Sequence, residues 1–170
     1  MFTDAAREEG TGYGGHSPTM INGSPSLLAM GKSWPQDIGD KLRNNILSMP
    51  AGETFGAVVV ADATIRALGN VTHLTLMTDC IATASTINSG GSGSMQLNAL
   101  ALWLFERHPR VQFLGIHLPG VANGAADSLS RGRVNDVVDE AKVCGTKIVW
   151  LYPHRSAFEL LRSLSDMPQR

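Results

Sequence analysis

Residues 117–131 read HLPGVANGAADSLSR, and the reading of this stretch decides the fold. Pro119 and Gly120 break regular structure as a loop does. The second half is alanine-rich and helical in composition, with Asn123 placed as a candidate N-cap. Just upstream, RVQFLGIHL (110–118) alternates as a strand does. Strand, loop and helix therefore follow one another, and an aspartate, Asp127, sits near the start of the helix.

Working outward, SMQLNALALWLFERHP (94–109) is the clearest helix, with Leu97, Leu100, Ala101, Leu104 and Phe105 on one face, Ser94 as N-cap and Pro109 as stop. SGGSGS (89–94) has the composition of a flexible linker. CIATASTIN (80–88) reads as a short helix, and VTHLTLMTD (71–79) as a strand ending in a polar pair. AGETFGAVVVADATIRALGN (51–70) is ambiguous: Val58, Val59 and Val60 favour a strand, while length and the Gly69-Asn70 stop favour a helix. QDIGDKLRNNILS (36–48) has helical spacing at Ile38, Leu42, Ile46 and Leu47. MFTDAAR (1–7), GYGGHSP (12–18) and SPSLLAMGKSW (24–34) read as three strands of an antiparallel meander. After residue 133, TKIVWLYPHRSAFELLRSL (146–164) reads as a strand and a short amphipathic helix. The expected organisation is a mixed α/β domain over 1–133 and a C-terminal extension over 134–170, packed on the domain or leading out of it.

The 170 residues suit one domain with a real core. The 43% hydrophobic and 17% charged content excludes a disordered chain. Net charge is −1, whereas domains that grip nucleic acid unaided are basic; a nucleic-acid enzyme of this composition draws phosphate affinity from neighbouring domains. The two cysteines, Cys80 and Cys144, have no metal-ligand spacing and fit a reducing, intracellular compartment. No apolar run approaches a membrane span, and the N-terminus has no signal-peptide character. The chain begins almost directly on a strand, as a domain excised from a longer protein does.

Asp4 lies in the first strand, Glu53 at the start of the long helix, Asp79 at the end of the fourth strand and Asp127 after the fifth. Singly, each has an ordinary explanation: a solvated terminal acid, a first-turn glutamate opposing the helix dipole, a turn aspartate, a first-turn aspartate. Together, carboxylates at element ends beside small residues suggest convergence on a cation. Four carboxylates suit Mg²⁺ or Mn²⁺. Two such ions sit about 3.5–4 Å apart when they share a carboxylate, one activating water and the other stabilising a leaving oxygen.

FTDAA, GYGG, the helix-start Glu53, LMTDC and HLPGVANGAADSLSR resemble the ribonuclease H domain of retroelement reverse transcriptases, of the gypsy, DIRS and VIPER-like groups. The resemblance spans about residues 2–133. The last string is its most specific part, through His117, Pro119, Gly120, Asn123, Ala126, Asp127, Leu129, Ser130 and Arg131. At Glu53 the pattern departs, with Ala51-Gly52 in place of aliphatic residues, yet Glu53 is the only glutamate between Glu9 and Glu106; Asp62 is the nearest acidic rival. The resemblance implies a ribonuclease H-like fold: a five-stranded mixed sheet, antiparallel β1-β2-β3 then β4 and β5, flanked by helices. It implies an endonuclease that hydrolyses the RNA strand of RNA–DNA hybrids with two Mg²⁺ (or Mn²⁺) ions, on metal ligands Asp4, Glu53, Asp79 and Asp127. His117, ten residues before Asp127, corresponds to a loop histidine that helps proton transfer or product release.

Substrate contacts expected on this reading are the backbone at Gly14, where glycine leaves room beside the RNA strand, Asn123 at the scissile region or as helix cap, and Arg131 on phosphate. Arg131 and Arg133 have solvated helix charges as their alternative. Tyr13 has core and substrate-packing readings, and SGGSGS or the following helix start are candidate phosphate sites. The implied partners are the hybrid and the polymerase portion of the same polyprotein, with no membrane, in the cytoplasm or nucleus. Two other functions compete: a catalytically inactive ribonuclease H-like scaffold or nucleic-acid-binding module, and an integrase- or transposase-type nuclease, which generally carries a glutamate on its last helix.

Overall fold

Asn22 and Gly23 both adopt positive φ, 50° and 76°, the conformation that a two-residue hairpin turn requires and that Asn-Gly supplies most readily. The turn joins β2 (Gly12–Ile21) to β3 (Ser24–Ser33), which pair antiparallel over their full length. β2 is longer than GYGGHSP suggests, because the turn chemistry carries pairing through Pro18 and Met20 to the hairpin tip, while β3 matches its expected stretch.

A computed structural model describes residues 1–165. After β1 (Phe2–Ala5), β2 and β3 come α1 (Gln36–Arg43), α2 (Met49–Leu68), β4 (His73–Thr78), α3 (Ile81–Ser89), α4 (Met95–Arg107) and β5 (Gln112–His117). A single 3₁₀ turn (Gly120–Ala122) leads to α5 (Gly124–Ser130), α6 (Val134–Val143), β6 (Lys147–Trp150) and α7 (Arg155–Leu164). The protein is α/β, with one mixed sheet in the order β5-β4-β1-β2-β3-β6. The β1-β2-β3 segment is antiparallel, whereas β4 and β5 run parallel to β1.

The five-strand expectation is corrected to six. β6 pairs parallel with β3, Ser26 to Ala29 facing Lys147 to Trp150, and Leu151 N–H donates to Ala29 O at 2.7 Å. An open β3 edge would present unpaired backbone groups, and β6 fills them. α7 follows with Ala157, Leu161 and Leu164 in the main core, so residues 147–164 share sheet and core with the strands before them. α6 falls in a stretch left unassigned by the sequence reading.

α2 resolves as a helix. Ser48 accepts the Ala51 N–H through its side chain, Pro50 occupies the first turn, and Gly69 ends the helix at φ 77°. Its residues are buried on all sides from Thr54 to Ile65, because it lies between β1 and β2 and the helices α3, α4 and α7. A helix covered all round has no polar face, which is why Val58–Val60 read as a strand. Tyr13, Trp34, Phe55 and Phe158 form an aromatic cluster over this interface. Tyr13 is fully buried there, in agreement with its core reading.

Consecutive glycines show how closely both faces of the sheet are covered. A Cβ on Gly14 would stand 2.6 Å from Leu129 Cβ of α5, and one on Gly15 would stand 3.1 Å from Val60 of α2. α5 and α6 cover the Gly14 face through Ala29, Leu129 and Val137. Among the described residues, no helix is long and apolar enough to cross a membrane.

Candidate metal centre

Parallel pairing of β1 and β4 sets Phe2 against Met77 and Thr3 against Thr78, so the next residues on the two strands, Asp4 and Asp79, lie side by side at their carboxyl ends. α2 packs across β1 with Gly56 against Asp4 O, where a Cβ would sit at 3.4 Å. That approach brings Glu53, one turn earlier, over the same point. Ligand oxygens of Asp4, Glu53 and Asp79 all lie within 4.8 Å of one another. Asp4 is buried, Glu53 half-buried and Asp79 partly exposed.

Desolvation and mutual repulsion dominate this group. Burial, then the neighbouring Asp4 and Asp79, push the Glu53 carboxyl up to about 9, against one offsetting backbone hydrogen bond from Ala5. Burial likewise raises Asp4 to about 6, with further increments from Asp79 and Asp127, while Ser130 and Arg131 act the other way. Glu53 Oε2 is buried with no hydrogen-bond partner. A buried carboxylate oxygen without a donor is costly, and here three acids supply only oxygen to one point. That donor set matches a hard divalent cation, which would replace the retained proton and satisfy the orphaned oxygen.

Asp127 is not part of this convergence. Arg131 Nε holds Oδ1 at 2.5 Å and Arg133 Nη2 holds Oδ2 at 2.6 Å. Burial acts upward on this carboxyl, but the two guanidinium hydrogen bonds outweigh it and keep Asp127 below the usual carboxylate range. The expectation of four converging carboxylates is thus met by three, because Arg131 and Arg133, just past the end of α5, engage Asp127. Arg131 also reaches Glu8 at 3.6 Å; its partners in this structure are acids.

His117 ends β5 and is exposed. Its Nε2 lies 3.1 Å from Asp79 O; a carbonyl only accepts, so Nε2 carries the hydrogen. The following chain lies over the same carboxylate: Leu118 N–H donates to Thr78 O at 2.9 Å, and a Cβ on Gly120 would be 3.2 Å from Asp79 Oδ2. The Pro119-Gly120 loop therefore folds onto the centre.

The substrate roles expected of Gly14 and Asn123 give way to structural ones. The space beside Gly14 is filled by Leu129 rather than left for a nucleic-acid strand. Asn123 is buried and donates from Nδ2 to Thr3 O at 2.8 Å. It occupies the N-cap position of α5 but makes no side-chain cap hydrogen bond; it ties α5 to β1 instead. Ser130 was not singled out as a site residue, yet its hydroxyl donates to Asp4 Oδ2. Its only sequence signal is its place in the ADSLSR string. The SGGSGS loop is organised around Asn98, whose Oδ1 accepts the Ser92 N–H at 2.6 Å.

Comparison with family models, curated proteins and solved structures returns no match to this chain.

Proposed function

We propose that the protein is a metal-dependent endonuclease of ribonuclease H-like fold that hydrolyses the RNA strand of RNA–DNA hybrids. The observation that carries this reading is the convergence of Asp4, Glu53 and Asp79 within 4.8 Å, with Glu53 Oε2 buried and unpartnered. The antiparallel β1-β2-β3 segment of a mixed sheet, with Asp4 and Asp79 at the ends of β1 and β4, supports the reading, and the resemblance of HLPGVANGAADSLSR supplies the substrate class. Asp4, Glu53 and Asp79 would hold Mg²⁺ or Mn²⁺, with Asp127 a further ligand for a second ion. Bound there, the ions supply an activated water and stabilise charge on the leaving oxygen.

The chain's own groups do the rest. Ser130 orients the Asp4 carboxylate through its hydroxyl. Glu53, raised to about 9, would hold a cation only as the carboxylate, its proton released to solvent. His117 is anchored through Nε2 to Asp79 O, which leaves Nδ1 outside that contact, placed for general acid–base work. On this reading the partner is the polymerase portion of the same polyprotein, at work in the cytoplasm or nucleus, and that portion contributes the phosphate affinity that a chain of net charge −1 lacks.

The test is cleavage of an RNA–DNA hybrid and of duplex DNA, with Mg²⁺, Mn²⁺ or chelator, beside Asp79→Asn. Hybrid cleavage that needs the metal and disappears in Asp79→Asn supports the reading. Cleavage of duplex DNA alone points to an integrase-like nuclease. A second reading, a catalytically inactive scaffold, draws on the arginines that occupy Asp127; it requires a folded protein that cleaves nothing and gains no stability from Mn²⁺.

A further inference from the structure

The two arginines on Asp127 have three properties in combination. Both carboxylate oxygens are taken, one by Arg131 Nε and one by Arg133 Nη2. The pairs are open to solvent, with 39% and 49% of the arginine side chains and 34% of the aspartate side chain exposed. Each arginine also has another acid nearby: Glu8 lies 3.6 Å from Arg131, and Asp136 lies 3.4 Å from Arg133. Exposed ion pairs hold weakly and are screened by salt, and a guanidinium binds a phosphate with the same two-pronged geometry as a carboxylate.

The backbone under Asp127 is fixed, by contrast. Leu129 seats α5 against Gly14 and Gly31 of β2 and β3. Asn123 ties its first turn to Thr3 O, and Ser130 ties its last turn to Asp4. Ser130 Oγ, which donates to Asp4 Oδ2, also lies 3.0 Å from Asp127 O, so one hydroxyl separates the Asp127 backbone from Asp4. With this backbone held, the two surface ion pairs are what engage the Asp127 carboxylate outside the three-acid centre.

We propose that Arg131 and Arg133 are a substrate-sensitive latch: they hold Asp127 out of the metal centre until the phosphates of a bound nucleic acid draw the guanidiniums away and free the carboxylate to complete the site. This rests on the reading of Asp4, Glu53 and Asp79 as a divalent-cation site. It gives the two arginines a double role, as phosphate contacts and as the counter-ions that keep the centre incomplete until a polyanion arrives.

The test is Mn²⁺ titration without nucleic acid, followed by loss of the free-ion electron paramagnetic resonance signal, on wild type, Arg131→Gln/Arg133→Gln, and the same double variant with Asp127→Asn added. The double variant is expected to bind Mn²⁺ at least about 10-fold more tightly than wild type, or to take up an additional ion, as ligand charge count dictates. Adding Asp127→Asn is expected to return binding to the wild-type level. A gain that survives Asp127→Asn reflects only the removal of two positive charges and overturns the latch. Equal binding by wild type and double variant also overturns it, while leaving the three-acid centre intact. No Mn²⁺ binding by wild type overturns the metal-centre reading itself and the latch with it. Arg133→Gln alone, outside α5, is run in parallel, so that loss of folding in the double variant does not remove the test; a smaller gain of the same kind is expected from it, and no gain counts against the latch.

Discussion

His117 donates from Nε2 to the backbone carbonyl of Asp79 across 3.1 Å. The ring is tied to the strand end that carries a candidate metal ligand, yet it touches none of the three carboxylates by hydrogen bond. On the proposed function, a residue so placed would serve proton transfer or product release without holding the cation. His117→Ala is therefore expected to slow hybrid cleavage by about 10²-fold, the lower end of general acid–base contributions, while leaving Mn²⁺ affinity unchanged. Parallel cleavage and metal-titration measurements separate the two effects, and a large fall in Mn²⁺ affinity would show that the histidine organises the centre instead.

Asp79→Asn keeps the shape of the side chain and removes its charge. Because Asp79 adds to the repulsion on Glu53 and Asp4, the metal-free variant is expected to melt at the wild-type temperature or slightly above it. Stabilisation by Mn²⁺ is expected to be lost, along with cleavage. Thermal melts with and without Mn²⁺ check this, and an unfolded variant would place Asp79 in the structural framework rather than the site.

Gly14→Ala distinguishes a packing glycine from a substrate-facing one. The new Cβ would stand 2.6 Å from Leu129 Cβ and 2.9 Å from the Leu129 backbone, so α5 must shift off β2. Overpacking of this kind costs about 1–3 kcal/mol, to be read from urea unfolding without nucleic acid. Unchanged stability combined with weakened hybrid binding would restore the substrate role that the sequence suggested.

These cases show what was legible in the sequence and what was not. Strand and helix identities follow local patterns, and the caps at Ser48 and Ser94 are used as their residue types suggest. α6 was legible too, since Val134, Val137, Val138 and Ala141 keep helical spacing, and its buried pair is Val137 and Ala141. The place of β6 beside β3 was not, because pairing across so long a separation leaves no mark in a four-residue strand. Asp4 and Asp79 meet through a parallel register of β1 and β4, a tertiary fact; acids at element ends suggested that they converge, but neither strand shows which strand it pairs with. The arginine partners of Asp127 lie four and six residues on in sequence, but that they take both its oxygens depends on side-chain geometry.

Asp62 was the acidic rival of Glu53, and the structure gives it different surroundings. Its side chain is fully buried and accepts from Arg66 Nε at 2.8 Å and Arg107 Nε at 2.9 Å, with His108 Nε2 also at 2.9 Å. These groups join α2 to the end of α4. Asp62→Ala removes the shared acceptor of Arg66 and Arg107, whose side chains are 40% and 29% exposed, and is expected to cost about 1–3 kcal/mol, the usual result of leaving partly buried donors without their partner. Urea unfolding measures the loss, and a cost below about 1 kcal/mol, as for surface pairs, would show that the cluster is solvated.

Glu53 and Asp62 also predict opposite responses to pH. Burial and neighbouring acids raise Glu53 from 4.5 to about 9 in the folded protein, so between these values the native state holds a proton that the unfolded chain has released. Stability from this group is therefore present at low pH and is lost as pH rises towards 9, with a slope approaching about 1.4 kcal/mol per pH unit for one proton. Asp62 runs the other way: burial acts upward, but hydrogen bonds from Arg107, Arg66 and His108 outweigh it and lower the carboxyl, so its contribution is present above 3.8 and is lost as pH falls below it. Metal-free protein is expected to be most stable at mildly acidic pH and to weaken steadily above it. Glu53→Gln has no proton to lose at this position, and its stability is expected to fall less steeply than that of wild type from pH 7 to 9, above the range in which the shifts of Asp4 (about 6) and His16 (about 4) act. Mn²⁺ is expected to reverse the wild-type slope, because a cation binds the deprotonated site and gains affinity as pH rises. Urea midpoints across this range, with chelator and with Mn²⁺, test both signs; a wild-type slope equal to that of Glu53→Gln in chelator would show that Glu53 is already ionised in the folded protein.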